Sequence, residues 1–222
     1  SSRDVLFAYA NEIARVCDKI GLDANEIINS GKFGYKRTDI AKPGLVGGPC
    51  LHKDPYIFSE SLKSHSISPE ITLIARKINE RQPEEISKFI VKQIKRKRTK
   101  VNRLNISILG LAFKGYPITD DLRGSMAIAV VKNLKKKLIN CKFYGFDPII
   151  SSNKIKSIGL KPLHKISDAF KKKDIVVITN NHKFFSKLKL NSQSKLLNEK
   201  SIIYDVWNLY NKKKLNIPKN SE

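Results

Sequence analysis

No run of about eighteen apolar residues occurs anywhere in this chain, so no membrane-spanning helix is expected. Cysteine is scarce. Cys17, Cys50 and Cys141 show neither metal-ligand spacing nor a disulfide framework, which fits a reduced, cytoplasmic setting. The start, Ser1-Ser2-Arg3-Asp4, has no basic region followed by an apolar stretch, so no signal peptide is expected. It also lacks an initiating methionine, which suggests a processed or truncated chain. Acidic residues are few: 20 Asp and Glu stand against 43 Lys and Arg, a formal net charge of +23. The glycine fingerprint of a dinucleotide-binding turn is missing. Gly110-Leu111-Ala112-Phe113 follows a strand-like run with a single glycine, which argues against a dinucleotide at that turn.

The 222 residues, 41% of them hydrophobic, suit one large or two small globular domains. The charge has two readings. One is a nucleic-acid or anionic-membrane partner; the other is solvated lysine spread over the surface. Lysine dominates, the charge is distributed, and no zinc finger, RNP-like aromatic motif or KH-type loop accompanies it. Nucleic acid therefore ranks last among the partners.

Periodicity divides the chain in two. Residues 4–20 read as an amphipathic helix carrying Val5, Leu6, Ala8, Ile13, Ala14, Val16 and Ile20, stopped by Gly21. Asp23 is placed to cap a short second helix. A loop from Gly31 to Gly48 follows. Its Tyr35, Lys36 and Arg37 suit either contact with a phosphate or sugar or simple solvation. Pro69 opens a long helical stretch in which Pro83 marks a kink or a break between two helices, and Arg76 and Asn79 share one side. Lys95 to Arg103 is a basic run read as a solvated junction. Beyond it the pattern alternates: strands at 105–109, 141–146, 174–179 and 201–206, with helices at 124–138 and 182–188 between them. Strands alternating with helices imply a parallel sheet covered on both faces. The expected organisation is α/β: a helical central and dimerisation region, 1–98, then a Rossmann-like parallel-sheet domain, 99–222.

Gly47-Gly48-Pro49-Cys50-Leu51-His52-Lys53-Asp54-Pro55 is the most informative stretch. Glycines let backbone approach a ligand, and a thiol four residues before a carboxylate suits covalent catalysis. The competing reading of Cys50 is a small buried hydrophobe. This stretch resembles the active-site loop of the UDP-glucose/GDP-mannose dehydrogenase family. So, in the same order, do Arg3-Asp4-Val5 through Asn11-Glu12, Ile108 through Lys114, Asp120 through Ser125, Asp147-Pro148, Thr179 with His182, and Tyr204 through Asn208. Pro49 and Leu51-His52 depart from the usual pattern.

The resemblance implies a nucleotide-sugar 6-dehydrogenase that uses NAD, with Cys50 and Asp54 catalytic and Lys53 near the cofactor. The expected UDP-sugar site draws on Tyr35, Lys36, Arg37, Gly47, Gly48, Arg76, Phe113, Lys114 and Arg123, and of these Phe113, Lys114 and Arg123 are the ones that match family positions. Phe113 has core packing as its alternative, and Arg123 a structural pair with Asp120 or Asp121. The resemblance further implies a homodimer along the long helix. It places the N-terminal NAD-binding half and a catalytic lysine outside this chain, so the chain alone is expected to be inactive. Asn11-Glu12, Gly21-Leu22-Asp23 and Asp54-Pro55-Tyr56 lean toward a UDP-N-acetylhexosamine, and Lys53-Asp54 toward UDP-glucose. A non-catalytic nucleotide-sugar-binding module, or split-gene relic, is the second reading.

Overall fold

The computed structural model describes residues 2–35, 37, 39–98 and 101–210. They form two compact units that divide between Gln82 and Pro83, and each is described by itself.

The first unit holds α1 (Ser2–Ile20), α2 (Ala24–Lys32), α3 (Pro49–Ser61) and the start of α4 (Glu70–Lys97). Gly21 ends α1 at φ 76°, a conformation that glycine adopts without strain. The Asp23 carboxylate caps α2 by accepting from the Asn25 and Glu26 N–H groups at 2.8 and 3.2 Å. The stripe that α1 buries differs from the expected one. Asp4, Ala8, Ala10, Asn11 and Cys17 are inside, whereas Leu6, Val16 and Ile20 are about half exposed or more. Polar residues win the interior positions because they find partners there. Asn79 donates to the Asp4 carboxylate at 2.8 Å, and Asn11 donates to Asn79 Oδ1 at 3.0 Å. Buried polar groups without such partners would be costly.

The second unit is a five-stranded parallel sheet in the order β3-β2-β1-β4-β5. The strands are β1 (Asn105–Leu109), β2 (Lys142–Phe146), β3 (Lys161–Pro162), β4 (Ile175–Ile178) and β5 (Ile202–Asp205). The short edge strand β3 carries no apolar run, which is why sequence pattern misses it. α5 (Met126–Lys137) covers the sheet through Met126, Ala127, Val130, Val131 and Leu134. α6 (Ser152–Ser157), α7 (Lys183–Ser186) and α8 (Leu190–Ser194) are the other α-helices of this unit among the described residues. Within this unit the later part of α4 buries Ile86, Ile90 and Ile94. Leu109, Phe146, Phe170, Val176, Ile178 and Phe185 form one apolar cluster. At the sheet's base, buried Asp174 accepts from the Asn105 N–H at 2.7 Å and pairs with Arg98 at 2.7 Å. Arg98 is thus not part of a freely solvated basic junction.

This strand order places a topological switch between β1 and β4. Chains of this architecture bind ligands at such switches, outside the carboxyl ends of the strands. The turns after Leu109 and Ile178 are therefore the ones to examine.

Candidate functional site

In the first unit Gly48 takes φ 108°, open to glycine, and serves as N-cap of α3. Pro49 occupies the first turn, where a missing N–H costs nothing. Cys50 therefore sits at the head of a helix rather than on a loop, and it is exposed. The free N–H groups and positive end of α3 favour negative charge beside it, such as an oxyanion forming on a carbonyl. Lys53 and Asp54 follow at i+3 and i+4, on the same helix face. Lys53 Nζ lies 3.0 Å from Asp54 Oδ1. The Asp54 carboxylate, by hydrogen bond and then by charge, raises Lys53 above the ordinary lysine range.

Arg76 behaves differently. It is fully buried, and its Nη1 lies 3.0 Å from both Asp4 Oδ1 and the Leu51 carbonyl. Its Nη2 donates to the Val46 carbonyl at 3.1 Å. Nε lies 3.3 Å from Glu80 Oε1 but is not aligned for a hydrogen bond. Asn11 holds Gly44 from both sides, accepting its N–H at 2.9 Å and donating to its carbonyl at 3.1 Å. Spacing alone puts Arg76 and Asn79 on one side of a helix; nothing in the sequence pattern marks Asp4 and Asn11 as their partners. Tyr35 and Arg37 are exposed on the segment after α2. Lys36 lies outside the described residues.

In the second unit the turn after β1 is held by its own neighbours. Asp147, at the end of β2, accepts from the N–H groups of Leu111 (2.7 Å), Ala112 (3.3 Å), Ile149 (2.9 Å) and Ile150 (3.2 Å). Ser125 Oγ donates to the Leu111 carbonyl at 2.7 Å, and the Phe113 N–H to the Asp121 carbonyl at 3.1 Å. The turns after β1 and β4 touch closely. A Cβ on Gly115 would stand 2.1 Å from the His182 nitrogen, so only glycine fits. Gly115 N–H also donates to Asn181 Oδ1 at 3.2 Å. On this platform Lys114 Nζ stands 5.1 Å from the Phe113 ring centroid, a cation over an aromatic face. Both side chains are half-buried. Arg123 forks onto Asp121 through Nε at 3.0 Å and Nη2 at 2.8 Å, and this pairing pulls the Asp121 carboxyl down to about 2. Asp120 pairs with Lys154.

His182 Nδ1 accepts the Phe184 N–H at 3.0 Å, while its buried Nε2 has no partner among the described residues. A shallow groove of about 610 Å³, lined by Lys88, Val91, Lys92, Lys95, Arg96 and Lys137, contains none of the candidate site residues. Among the described residues, no group of His, Cys, Asp and Glu is arranged to hold a metal, and no helix is long and apolar enough to cross a membrane.

Comparison with known proteins follows this division. Residues 1–81 match the central domain of the UDP-glucose/GDP-mannose dehydrogenase family, and residues 107–212 match its UDP binding domain. The UDP-N-acetyl-D-mannosamine dehydrogenase of Pyrococcus horikoshii is 31% identical over 202 residues, 90% of this chain and 44% of the relative. The UDP-N-acetyl-D-glucosamine 6-dehydrogenase of Salmonella typhi is 26% identical over 207 residues, 93% of this chain and 47% of the relative. A solved structure of the UDP-D-ManNAc dehydrogenase from Pyrococcus horikoshii superposes with a TM-score of 0.79 at 28% identity. It covers 99% of this chain and 48% of that one. The chain spans about half the length of the relatives it matches.

Proposed function

The chain belongs to the UDP-glucose/GDP-mannose dehydrogenase family, and from that premise we propose that it is the cysteine-bearing, nucleotide-binding part of a UDP-sugar 6-dehydrogenase. The observation that carries this reading is Cys50, exposed in the first turn of α3 with Asp54 one turn on. A binding module needs no such nucleophile, which sets the enzyme ahead of a non-catalytic module. UDP-N-acetylhexosamines stand ahead of UDP-glucose as substrates, because the named relatives act on N-acetylated sugars.

The reaction converts a C6 alcohol to a carboxylate in two two-electron oxidations, alcohol to aldehyde and thiohemiacetal to thioester, and in this reading two NAD are consumed, one for each of the two hydrides. The residues of this chain do not fit a dinucleotide at the turn after β1. That turn lacks the glycine fingerprint, and the Asp147 carboxylate, which would otherwise face a ribose, is taken up by four backbone N–H groups. The acceptor is accordingly assigned to another part of the whole protein, and the chain alone is expected to be inactive.

What this chain supplies is covalent and electrostatic. The Cys50 thiolate adds to the C6 aldehyde, and the carbonyl oxygen takes up a proton to give a thiohemiacetal. After its oxidation to the thioester, water attacks the carbonyl carbon, the C–S bond breaks, and carboxylate and thiol are released. Asp54 is positioned to move the proton of that water. Lys114 offers charge to the diphosphate and Phe113 an aromatic face, with Arg123 at the edge of the same turn. Tyr35, Lys36, Arg37, Gly47 and Gly48 belong to the sugar side, and Lys53 to the cofactor side through its pairing with Asp54. Exposed Ile71 and Ile74 on α4 support a homodimer along that helix, in the cytoplasm.

Calorimetry with UDP and UDP-N-acetylhexosamines tests the binding half. The chain alone should bind UDP and form no NADH. Joined to a family N-terminal half, it should form uronate. NADH from the chain alone, or absence of UDP binding, overturns the reading.

A further inference from the structure

Pro55 stands inside α3 and has no N–H. In an α-helix that N–H would bond the carbonyl four residues back, which is Leu51. Arg76 Nη1 donates to that carbonyl at 3.0 Å. The same guanidinium donates through Nη2 to the Val46 carbonyl at 3.1 Å. Val46 and Leu51 bracket Gly47-Gly48-Pro49-Cys50. The fork is itself fixed, because Asp4 Oδ1 lies 3.0 Å from Nη1 and both side chains are fully buried. Asn79 ties the same carboxylate oxygen at 2.8 Å.

We propose that Arg76 is a positioning residue: it supplies the helix hydrogen bond that Pro55 cannot make and clamps both ends of the Cys50 turn. The assignment rests on the reading of Cys50 as the nucleophile only for its effect on rate; the clamp stands without it. Two flexible glycines beside a reacting thiol would otherwise leave its position poorly defined, and small displacements of reacting groups cost rate heavily. Arginine suits the task because its planar fork reaches two carbonyls at once, which a lysine does not. Complete burial also separates Arg76 from the exposed cations that suit a diphosphate.

Amide hydrogen exchange on this chain, read by mass spectrometry, tests the clamp without any activity assay. Arg76→Lys keeps the charge against Asp4. Asp4→Asn with Arg76→Met removes both charges, so no buried ion is left unpaired. In both variants, the amides of His52, whose N–H bonds the Gly48 carbonyl, and of the two residues after it should exchange at least about tenfold faster, while those of β1 and β4 keep the parent rate. Adding Pro55→Ala restores an N–H opposite Leu51 and should recover part of the protection. If the double variant fails to fold, Arg76→Lys decides.

In the whole enzyme, Arg76→Lys should lower kcat at least about tenfold with KM nearly unchanged, whereas substrate contact alone would raise KM with kcat unchanged. Unchanged exchange in Arg76→Lys, no recovery on adding Pro55→Ala, or a change confined to KM overturns the proposal. Failure of Cys50 as nucleophile would show instead as normal uronate formation by Cys50→Ser, with the exchange pattern unaffected.

Discussion

Replacing Asp147 by alanine tests how the turn after β1 is built. One carboxylate accepts four backbone N–H groups there. Leu111, Ala112 and Ile150 are buried, whereas Ile149 is exposed and regains a water partner. The shortest bond, Leu111 N–H to Oδ2 at 2.7 Å, ends in a buried donor whose loss costs about 2 kcal/mol. The longer Ala112 and Ile150 contacts add roughly 1 kcal/mol together, for a total near 3 kcal/mol. Asp147→Asn should fall between, because it keeps one acceptor oxygen and turns an N–H₂ toward the other pair of donors. Trp207, the only tryptophan of the chain, donates through Nε1 to the Thr179 carbonyl at 3.1 Å. Its fluorescence therefore follows the sheet unit specifically. With a urea slope of about 2 kcal/mol/M, Asp147→Ala should lower the tryptophan midpoint by roughly 1.5 M. UDP affinity should also fall, since the same turn carries Phe113 and Lys114. A midpoint shift under about 0.3 M would mean that the carboxylate does not hold the turn, and the reasoning fails.

Other outcomes follow from the same geometry. Iodoacetamide should label Cys50 first, Cys141 next and Cys17 last: Cys50 is exposed, burial pushes the Cys141 thiol up, and Cys17 is 4% exposed. Peptide mass spectrometry reads this order, and equal rates at Cys50 and Cys17 would contradict it. Lys114→Ala should weaken UDP binding by about tenfold, roughly one charged contact, without moving the tryptophan midpoint; calorimetry that finds equal affinity removes Lys114 from the site. Burial pushes the Asp205 carboxyl up to about 6 from 3.8, against the opposing N–H groups of Tyr210, Leu209 and Trp207. The folded state then holds the extra proton between these values, so this contribution to stability is full below about pH 4 and declines as pH rises to about 6. Asp205→Asn should flatten that slope in denaturation curves; a slope of opposite sign would refute the assignment.

The sheet unit was largely legible because buried parallel strands are short apolar runs between turn residues. Ile106 to Leu109 and Ile175 to Ile178 announce themselves in this way. β3 did not, since Lys161-Pro162 has neither length nor hydrophobicity. The first unit was less legible. Apolar periodicity pointed to Leu6, Val16 and Ile20, but the helix buries Asp4 and Asn11 instead, because their partners on α4 arrive more than 60 residues later. No local pattern encodes such a pairing. At the candidate site, Cys50 and Asp54 were conspicuous by residue type and spacing. Arg76, sharing a helix side with Asn79, was expected against substrate. Its burial and its two carbonyl partners emerge only from the fold. Asp147 ends β2, where a dinucleotide fold would set an acidic residue against a ribose, yet four backbone N–H groups of its own neighbours take up its carboxylate.

The central claim is that this chain brings the nucleophile of a UDP-sugar 6-dehydrogenase. The most direct measurement is product analysis of the whole enzyme carrying Cys50→Ser, supplied with UDP-N-acetylhexosamine and NAD. The account predicts that carboxylate formation falls by at least about a thousandfold, with UDP-sugar affinity within about threefold of the parent, because a covalent step is removed and little ground-state contact is lost. Uronate formed at the parent rate would make Cys50 a structural residue and contradict the claim.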